Sequence, residues 1–213
     1  METLAVIIML IFKGAAQGGV GLPINVTVAQ DGSGNYTKIS DAVSAAPEHS
    51  RHQYNINIKA GIYSEYIEIG SKKTNLAFIG DGMEKTVITG NRSYGKGWKT
   101  FWSATVAING HNCSAEKITI INSAGPNYRQ AVALRSSSNF STFYKCVFQG
   151  YQDTLYVHQG IQFYRDCEIY GTVDFVFGNA RVVIQHSYFL GMQELSSNTV
   201  TYMFMNQLLT IQI

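Results

Sequence analysis

Short apolar runs separated by turn residues dominate the pattern of hydrophobic and polar positions along the chain. The first such runs are Ile56 with Ile58, Ile67 with Ile69, Leu76 to Ile79, and Val87 with Ile88. Alternation of this kind predicts strands, and Gly80-Asp81-Gly82 and Gly90 mark turns after the last two runs. The strand pattern continues to Leu190 without a Pro, Gly or Ser linker, so the sequence predicts a single domain.

One segment has the periodicity of a helix instead. Between Tyr36 and Pro47, apolar residues recur with helical spacing at Ile39, Ala42, Val43 and Ala46. This spacing is typical of a short amphipathic helix, and Pro47 is expected to stop it. The sequence therefore predicts a short helix that caps the N-terminal end of the strand-rich region.

A repeat of about 20 residues determines the predicted architecture. Three pairs of identical residues are each 21 positions apart, namely Cys146 and Cys167, Gly150 and Gly171, and Asp153 and Asp174. Just upstream, the repeat aligns Phe143 with Phe163 if Asp166 is counted as an inserted residue. Repeated short strands with no helix between them cannot form a β-α-β sheet, but they can coil as a parallel β-helix. The predicted fold is therefore an all-β solenoid of this type.

Asp153 and Asp174 become neighbours in such a fold. Equivalent positions on successive coils stack at the strand spacing, so we expect the two carboxylates on one face, within about 4–7 Å of each other. Two carboxylates this close cannot both ionise cheaply, so the pKa of one rises while the other stays anionic. The pair is a candidate active site, and the alternative is an aspartate ladder that only caps turns.

Amide and aromatic side chains surround the acid pair in the sequence. Gln152 precedes Asp153, and Gln130 lies about one coil earlier. The nearby rings are those of Tyr151, Tyr156, Phe175 and Phe177. Amide donors beside paired acids, framed by aromatic rings, suit a sugar polymer and a developing oxyanion. The spacing of the acids suits a retaining glycosidase as well as an esterase, so it does not choose between them.

Composition, charge and motif searches exclude several other classes of protein. Charged residues make up 14% of the 213-residue chain and hydrophobic residues 46%, which argues against disorder and against a solvated coiled coil. The net charge of +2 is mild and the basic residues are scattered, so no nucleic-acid partner is expected. No serine-hydrolase, zinc-protease or phosphate-loop motif occurs, and Asp31 to Asn35 is interpreted as a turn rather than a calcium loop. We expect neither a metal nor a cofactor.

The N-terminal segment and the cysteines give information about the cellular compartment of the protein. The apolar run from Leu4 to Phe12 is too short to span a bilayer but matches the core of a signal peptide. Residues 1–17 are therefore expected to direct secretion, and no membrane span is expected. The three cysteines, Cys113, Cys146 and Cys167, are odd in number and form no C-x-x-C motif. They are expected to be buried free thiols rather than a disulfide framework or a zinc site.

Three segments closely resemble the signature segments of plant pectinesterases, also called pectin methylesterases. They are Gln130 to Arg135, Gly150 to Val157, and Gly171 to Asn179. The resemblance extends from about Val26 to Leu190, so residues 18–190 are assigned to a pectinesterase-type β-helix and residues 191–213 to a tail outside the family. It implies a right-handed parallel β-helix in a secreted cell-wall enzyme that hydrolyses methyl esters of galacturonate units in pectin.

The resemblance also implies roles for individual residues. On the matching positions, Asp174 is the nucleophile, Asp153 the proton donor and Gln152 the stabiliser of the transition state. The expected substrate contacts are Thr100 and Gln130, together with the rings of Tyr156 and Phe177. Pectin is the implied partner, with a proteinaceous pectinesterase inhibitor as a second one, and no cofactor is implied.

The sequence departs from the family pattern near its end. Family members supply an Arg and a Trp from a Gly-Arg-Pro-Trp-like segment that this chain lacks. An inactive pectin-binding protein is therefore one alternative, and a β-helical glycosidase or lyase acting on pectin is another. The family cysteine at Cys167 commonly pairs with a cysteine about 20 residues later, where this chain has Ser187, so this disulfide is not expected. The apolar run from Thr199 to Met205 is expected to add a strand or to promote aggregation.

Overall fold

In the part of the chain that the structure describes, the backbone is built from many short strands and one short α-helix. A computed structural model describes residues 22–192 and the backbone of residues 201–205. In chain order, its strands are β1 (Ile24–Val28), β2 (Tyr54–Ile58), β3 (Gly61–Ser64), β4 (Ile67–Ile69), β5 (Leu76–Gly80), β6 (Thr86–Gly90), β7 (Val106–Ile108), β8 (Ser114–Glu116), β9 (Thr119–Asn122), β10 (Leu134–Ser136), β11 (Ser141–Tyr144), β12 (Val147–Gln149), β13 (Leu155–Val157), β14 (Ile161–Arg165), β15 (Glu168–Gly171), β16 (Val176–Gly178), β17 (Arg181–Gln185), β18 (Ser187–Gly191) and β19 (Thr201–Met205). The predicted signal peptide, residues 1–17, lies outside the described residues.

Successive coils add one strand to each of three sheets. The first sheet has the order β1-β2-β5-β8-β11-β14-β17, the second β19-β18-β15-β12-β9-β6-β3, and the third β16-β13-β10-β7-β4. Neighbouring strands run parallel throughout, apart from the antiparallel pair β18 and β19. The apolar side chains that point inward from the three sheets form one continuous core along the coils. The predicted right-handed parallel β-helix is confirmed.

A helix closes the N-terminal end of the core, as predicted. It spans Ile39–Ala45 (α1), buries Ile39, Ala42 and Val43, and packs against β1, β2 and β4. Its own sequence provides no side-chain cap. Instead, the Glu65 carboxylate accepts hydrogen bonds of 3.0 Å from the backbone N–H groups of Ile39 and Ser40. A carboxylate at this end of a helix also interacts favourably with the helix dipole.

The repeat has a uniform length across the coils that carry the two aspartates. Phe143 pairs with Tyr164, 21 positions later, in the first sheet. The predicted alignment of Phe143 with Phe163, with Asp166 inserted, is therefore wrong. Both paired rings are fully buried and stack with their centres 4.6 Å apart. A slip by one residue would turn the Tyr164 ring out of the core, so burial determines the register.

Phe143→Ala is expected to be strongly destabilising. The Phe143 ring stacks on Tyr164 and meets the Phe148 ring edge-on at 5.8 Å, all inside the core. Its removal leaves a cavity between coils, so the free energy of unfolding should fall by about 3–5 kcal/mol. Urea denaturation measures this loss, and Phe140→Ala, at a ring that is 43% exposed, is the control. Similar losses in both variants would contradict the expected role of the stack.

The three cysteines are free and buried, as predicted. Cys167 lies beside Ser187 of the next coil, and its backbone N–H donates a 3.0 Å hydrogen bond to Ser187 Oγ. Because Ser187 carries no thiol, the disulfide that the family resemblance associates with Cys167 cannot form at this pair of positions.

The run after residue 199 adds a strand, as one of the two predicted outcomes. β19 pairs antiparallel with β18, so the chain reverses there and extends the second sheet. The predicted division into residues 18–190 and 191–213 stays a prediction. Within residues 22–192 and 201–205, no helix has the length and hydropathy needed to cross a membrane.

Candidate active site

Asp153 and Asp174 lie in equivalent turns of two successive coils. We call the connections from the second sheet to the third sheet the site turns, and these two occupy residues 150–154 and 172–175. The Asp153 N–H donates to the Val173 carbonyl at 3.3 Å, which stacks one turn on the other. Both aspartates have a left-handed backbone, with φ of 67° and 50°, a conformation that aspartate tolerates better than most residues. The stacked turns and the shared backbone conformation agree with the prediction that both side chains lie on one face, and that prediction and the predicted carboxylate separation stay predictions.

Two glycines allow the site turns to fold this tightly. A Cβ atom on Gly171 would lie 2.1 Å from Phe175 Cβ, and one on Gly150 would lie 2.9 Å from Thr154 Oγ1. Thr154 is buried, and its hydroxyl donates a 2.9 Å hydrogen bond to the Tyr170 carbonyl of the next coil. The repeated Gly-x-x-Asp spacing therefore places each carboxylate just beyond a close contact that only glycine permits.

The two carboxyl groups have different surroundings. Asp153 is 7% exposed, whereas Asp174 is exposed. Burial, and secondarily the neighbouring charge of Asp174, raise the pKa of Asp153 to about 6. A buried acid that holds its proton to a higher pH than an ordinary aspartate, beside an exposed carboxyl group, is the asymmetry expected of a proton donor and its anionic partner.

Asp153→Asn is expected to remove a pH-dependent loss of stability. The folded-state pKa of about 6 exceeds the ordinary value of 3.8, so the folded chain binds this proton more tightly than the unfolded chain does. The resulting stabilisation is complete at low pH and is lost as the pH rises through about 6. From about pH 3 to pH 7, wild type should therefore lose about 2–3 kcal/mol relative to the variant.

Urea denaturation of both chains across this pH range measures the difference. Asp174→Asn is the matched variant. It removes only the neighbouring charge, which raises the pKa of Asp153 less than burial does, so this variant should retain most of the pH dependence. Identical pH dependence in wild type and Asp153→Asn would show that Asp153 has no raised pKa.

The two predicted amide side chains also occupy stacked site turns. The Ala131 N–H donates to the Gln152 carbonyl at 3.0 Å, just as Asp153 does to Val173 one coil later. This places Gln130 beside Gln152 along the coils, next to the acid pair. Within the described part of the chain, the buried Gln130 Oε1 accepts no hydrogen bond. Two adjacent amide groups beside the carboxyls are suited to donate to a developing oxyanion.

Tyr156 and Phe177 form an aromatic surface outside the core. They pair in register in the third sheet, and their rings stack with centres 4.3 Å apart and planes 19° from parallel. The rings belong to a small apolar cluster on the outer side of this sheet. A groove of about 370 Å³ adjoins them, lined by Tyr156, His158, Gln159, Phe177, Gly178 and Asn179. A flat stacked pair beside a groove suits the apolar face of a sugar ring.

Thr100, the remaining predicted contact, lies on an earlier coil on the same side of the solenoid. It begins a 3-10 helix, Thr100–Trp102, in the long site turn between β6 and β7. Ser103 Oγ donates to the Thr100 carbonyl at 2.8 Å and accepts from the Val132 N–H at 3.1 Å. Val132 follows Gln130 closely in the next site turn, so the structure gathers Thr100, Gln130 and the acid pair on one side.

Sequence reasoning missed a polar network beneath these residues. Arg135 is 1% exposed, and its Nη1 donates to Asn109 Oδ1 at 2.8 Å and to Ser137 Oγ at 2.9 Å. Ser137 Oγ accepts from Arg135, since arginine only donates, and it also shares a 2.9 Å hydrogen bond with His158 Nδ1. Burial and the charge of Arg135 lower the pKa of His158. The only sequence signal was a charged residue within an apolar strand.

Side chains that could ligate a metal do not cluster in the described part of the chain. In the ranges 22–192 and 201–205, no group of three or more His, Cys, Asp or Glu side chains is placed to hold a metal ion. The groups that the site itself offers for chemistry are the carboxyls and the amides.

Comparisons with known proteins agree with this geometry. "Pectinesterase 2" from Citrus sinensis is 60% identical over 162 residues, which cover 76% of this chain and 31% of that protein. The solved structure "Pectin methylesterase from Carrot" superposes with a TM-score of 0.78 at 49% identity, covering 82% of this chain and 54% of that one. A pectin methylesterase in complex with a hexasaccharide superposes with a TM-score of 0.75 at 31% identity, covering 83% and 58%.

The matched region is extensive within this chain but partial within its relatives. The chain spans about a third of the length of the curated relatives it matches, 35% and 31% for two of them. The pectinesterase family model matches residues 25–204, which is most of the chain and includes every predicted site residue. On the strength of this match and of the identity to its relatives, the chain belongs to the pectinesterase family.

Proposed function

We propose that the chain is a carboxylic ester hydrolase that removes methyl esters from galacturonate units of pectin and releases methanol. The observation that carries this proposal is the stacked acid pair, in which Asp153 is buried with its pKa raised to about 6 and Asp174 is exposed. Paired acids with unequal surroundings provide a proton donor and a nucleophile from identical side chains. Membership of the pectinesterase family supports a methyl ester of pectin as the bond to be cleaved.

In the first half of the reaction, an Asp174 carboxylate oxygen attacks the carbonyl carbon of the methyl ester. The carbonyl oxygen becomes negatively charged, and the amide groups of Gln152 and Gln130 donate hydrogen bonds to it. The C–O bond to the methoxy group then breaks, and the proton of Asp153 passes to the leaving oxygen to give methanol. The products of this half are a mixed anhydride on Asp174 and an ionised Asp153.

In the second half, water restores the enzyme. Ionised Asp153 removes a proton from water as the water oxygen attacks the acyl carbon of the anhydride. The bond to Asp174 breaks, so Asp174 regains its negative charge and the sugar leaves as a free carboxylic acid. Asp153 ends the cycle protonated, ready to act again as the proton donor.

The aromatic pair is proposed to position the polymer. The stacked rings of Tyr156 and Phe177 lie in the third sheet immediately after the site turns that carry the acids. Sugar rings stack on such surfaces through their C–H faces, and Thr100 on the earlier coil is proposed as a further contact. Since pectin is a wall polymer, we also propose that the protein is secreted to the cell wall and is open to a proteinaceous pectinesterase inhibitor there.

Methanol release from highly methylated pectin tests the proposal. The full chain should release methanol and generate free carboxylates in equal amounts, without shortening the polymer. New reducing ends would instead identify a glycosidase, and unsaturated ends a lyase. Binding to pectin without any methanol release would identify an inactive pectin-binding protein, which is the other alternative.

A further inference from the structure

An arginine is clamped between two aromatic rings on the coils that precede the acid pair. The guanidinium carbon of Arg92 lies 3.7 Å from the ring centre of Tyr66 and 4.0 Å from that of Trp98. Both rings are more than a third exposed, at 37% and 40%. With its faces covered, the guanidinium has its N–H donors left in the plane between the rings, where they form a fork that matches a carboxylate.

Two further cations lie against exposed rings beside this clamp. Lys96 Nζ lies 4.8 Å from the ring centre of Tyr128, and the guanidinium carbon of Arg129 lies 4.7 Å from that of Tyr94. The Tyr94 N–H donates a 2.8 Å hydrogen bond to the Gln130 carbonyl, so this group is joined directly to a proposed substrate contact. We call the cations Arg92, Lys96 and Arg129, with the rings they contact, the basic platform.

The basic platform occupies the same side of the solenoid as the acid pair. Its residues lie in the site turns that follow β3, β6 and β9, whereas the aspartates lie in those that follow β12 and β15. These turns stack in order along the solenoid, because the second and third sheets that they connect are parallel and in register. A polymer lying along this side therefore crosses the basic platform and the acid pair in succession.

The clamp is held rigid before any ligand arrives. Tyr66 Oη accepts a 3.0 Å hydrogen bond from the Asn91 N–H and donates to Asn91 Oδ1 at the same distance. Gly90 leaves room for this ring, since a Cβ there would lie 2.6 Å from Tyr66 Cε1. Asn122 Nδ2 donates to the Arg92 carbonyl at 2.8 Å, which ties the end of β9 to the backbone of the clamped arginine. A preorganised donor loses little entropy when it binds its ligand.

Among the described residues, no carboxylate neutralises the basic platform. The ion pairs formed in the described ranges include none of its three cations. Glu116, at the end of β8, is the only acidic residue between Asn91 and Arg135, and it pairs with Lys117. Glu65, next to Tyr66 in the chain, is hydrogen-bonded to the N-terminus of α1. The positive charge on this side is therefore available to an anion from outside the chain.

We propose that the basic platform binds the free carboxylates of galacturonate units that have already lost their methyl esters. The inference rests on the proposed function for the identity of the polymer. It adds a site that recognises the product of the reaction, with its cations on the two coils that precede that of Asp153. Holding a de-esterified stretch on the basic platform would present a neighbouring ester of the same polymer to Asp174.

Binding of two oligogalacturonates of equal length, one fully de-esterified and one fully methyl-esterified, tests this inference. Calorimetry in an Asp174→Asn background keeps the ester intact during the measurement. Arg92→Gln should weaken binding of the acid oligomer by about tenfold, the size expected for loss of a charge-assisted pair. Binding of the esterified oligomer should change by less than about twofold, because an ester carries no charge to lose.

Lys145→Gln is the matched control, because Lys145 also lies near an aromatic ring, 5.3 Å from the centre of Tyr144, but in a turn between the first and second sheets. It should leave binding of both oligomers unchanged. Lys96→Gln, at an exposed position, is a second variant that should weaken acid-oligomer binding without altering thermal unfolding. Added salt should weaken binding of the acid oligomer more than that of the ester.

The outcomes separate this inference from the proposed function. The proposed role of the basic platform would be overturned if Arg92→Gln and Lys145→Gln weakened acid-oligomer binding equally, or if Arg92→Gln weakened binding of both oligomers equally. This holds even if wild type releases methanol. Selective loss of acid-oligomer binding in Arg92→Gln would support it even if wild type releases none, in which case the esterase proposal alone would fail.

Discussion

Asp174→Asn should abolish methanol release, whereas Asp153→Asn should release about one equivalent of methanol per chain and then stop. Without the Asp174 carboxylate, no nucleophile is present and no ester bond breaks. The amide introduced by Asp153→Asn can hydrogen-bond the leaving oxygen but gives up no proton, so the departing methoxide takes its proton from water. The amide also has no basic oxygen to activate water, so the anhydride on Asp174 should persist. Rapid-mixing measurement of methanol, with mass spectrometry of the acylated chain, distinguishes the two variants.

Asp166→Asn is the matched control for both substitutions. Asp166 has the same left-handed backbone, with φ of 52°, but it lies in the turn from β14 to β15, between the first and second sheets. It should leave methanol release close to that of wild type. Full activity in both Asp153→Asn and Asp174→Asn would exclude the pair as catalytic residues.

Gln152→Ala should lower kcat by about 10²–10³-fold, the loss measured when one oxyanion donor is removed from a hydrolase. The Gln152 amide is proposed to contact the ester oxygen mainly after that oxygen becomes charged, so KM should change far less than kcat. The side chain is half-buried in a site turn, and thermal unfolding should shift little. Steady-state methanol release over a range of pectin concentrations separates the two constants.

Gln149→Ala provides the comparison, since Gln149 is an exposed glutamine at the end of β12, three residues before Gln152. It should leave both kcat and KM near their wild-type values. A large rise in KM with unchanged kcat in Gln152→Ala would assign this amide to substrate binding instead of oxyanion stabilisation. An unchanged rate in Gln152→Ala would remove it from the mechanism altogether.

Local patterns were sufficient to predict most of the fold. The spacing of Ile39, Ala42 and Val43 predicted α1, and alternating apolar residues predicted the early strands, because these signals depend on neighbours within a few positions. The identical 21-residue spacing of the cysteine, glycine and aspartate pairs predicted stacked coils. From that stacking alone, Asp153 and Asp174 were expected on adjacent coils, since equivalent positions of a solenoid must lie above one another.

Contacts between coils decided what the sequence left undetermined. The true partner of Phe143 is Tyr164 rather than Phe163, because the choice depends on which ring packs into the core. The cap of α1 comes from Glu65, which no local signal connects to Ile39. Both are long-range effects, and a spacing rule based on identical letters cannot detect them.

The different roles of the two acids in the site also depend on contacts between coils. Asp153 and Asp174 are the same residue in the same kind of turn, so the sequence by itself determined that a carboxyl pair exists. Only the tertiary structure made Asp153 the buried member and so raised its pKa to about 6. Similarly, scattered basic residues in the sequence become the basic platform once three site turns stack around Arg92. Residue identity follows from the sequence, but solvation and charge proximity depend on which parts of the chain the coils bring together.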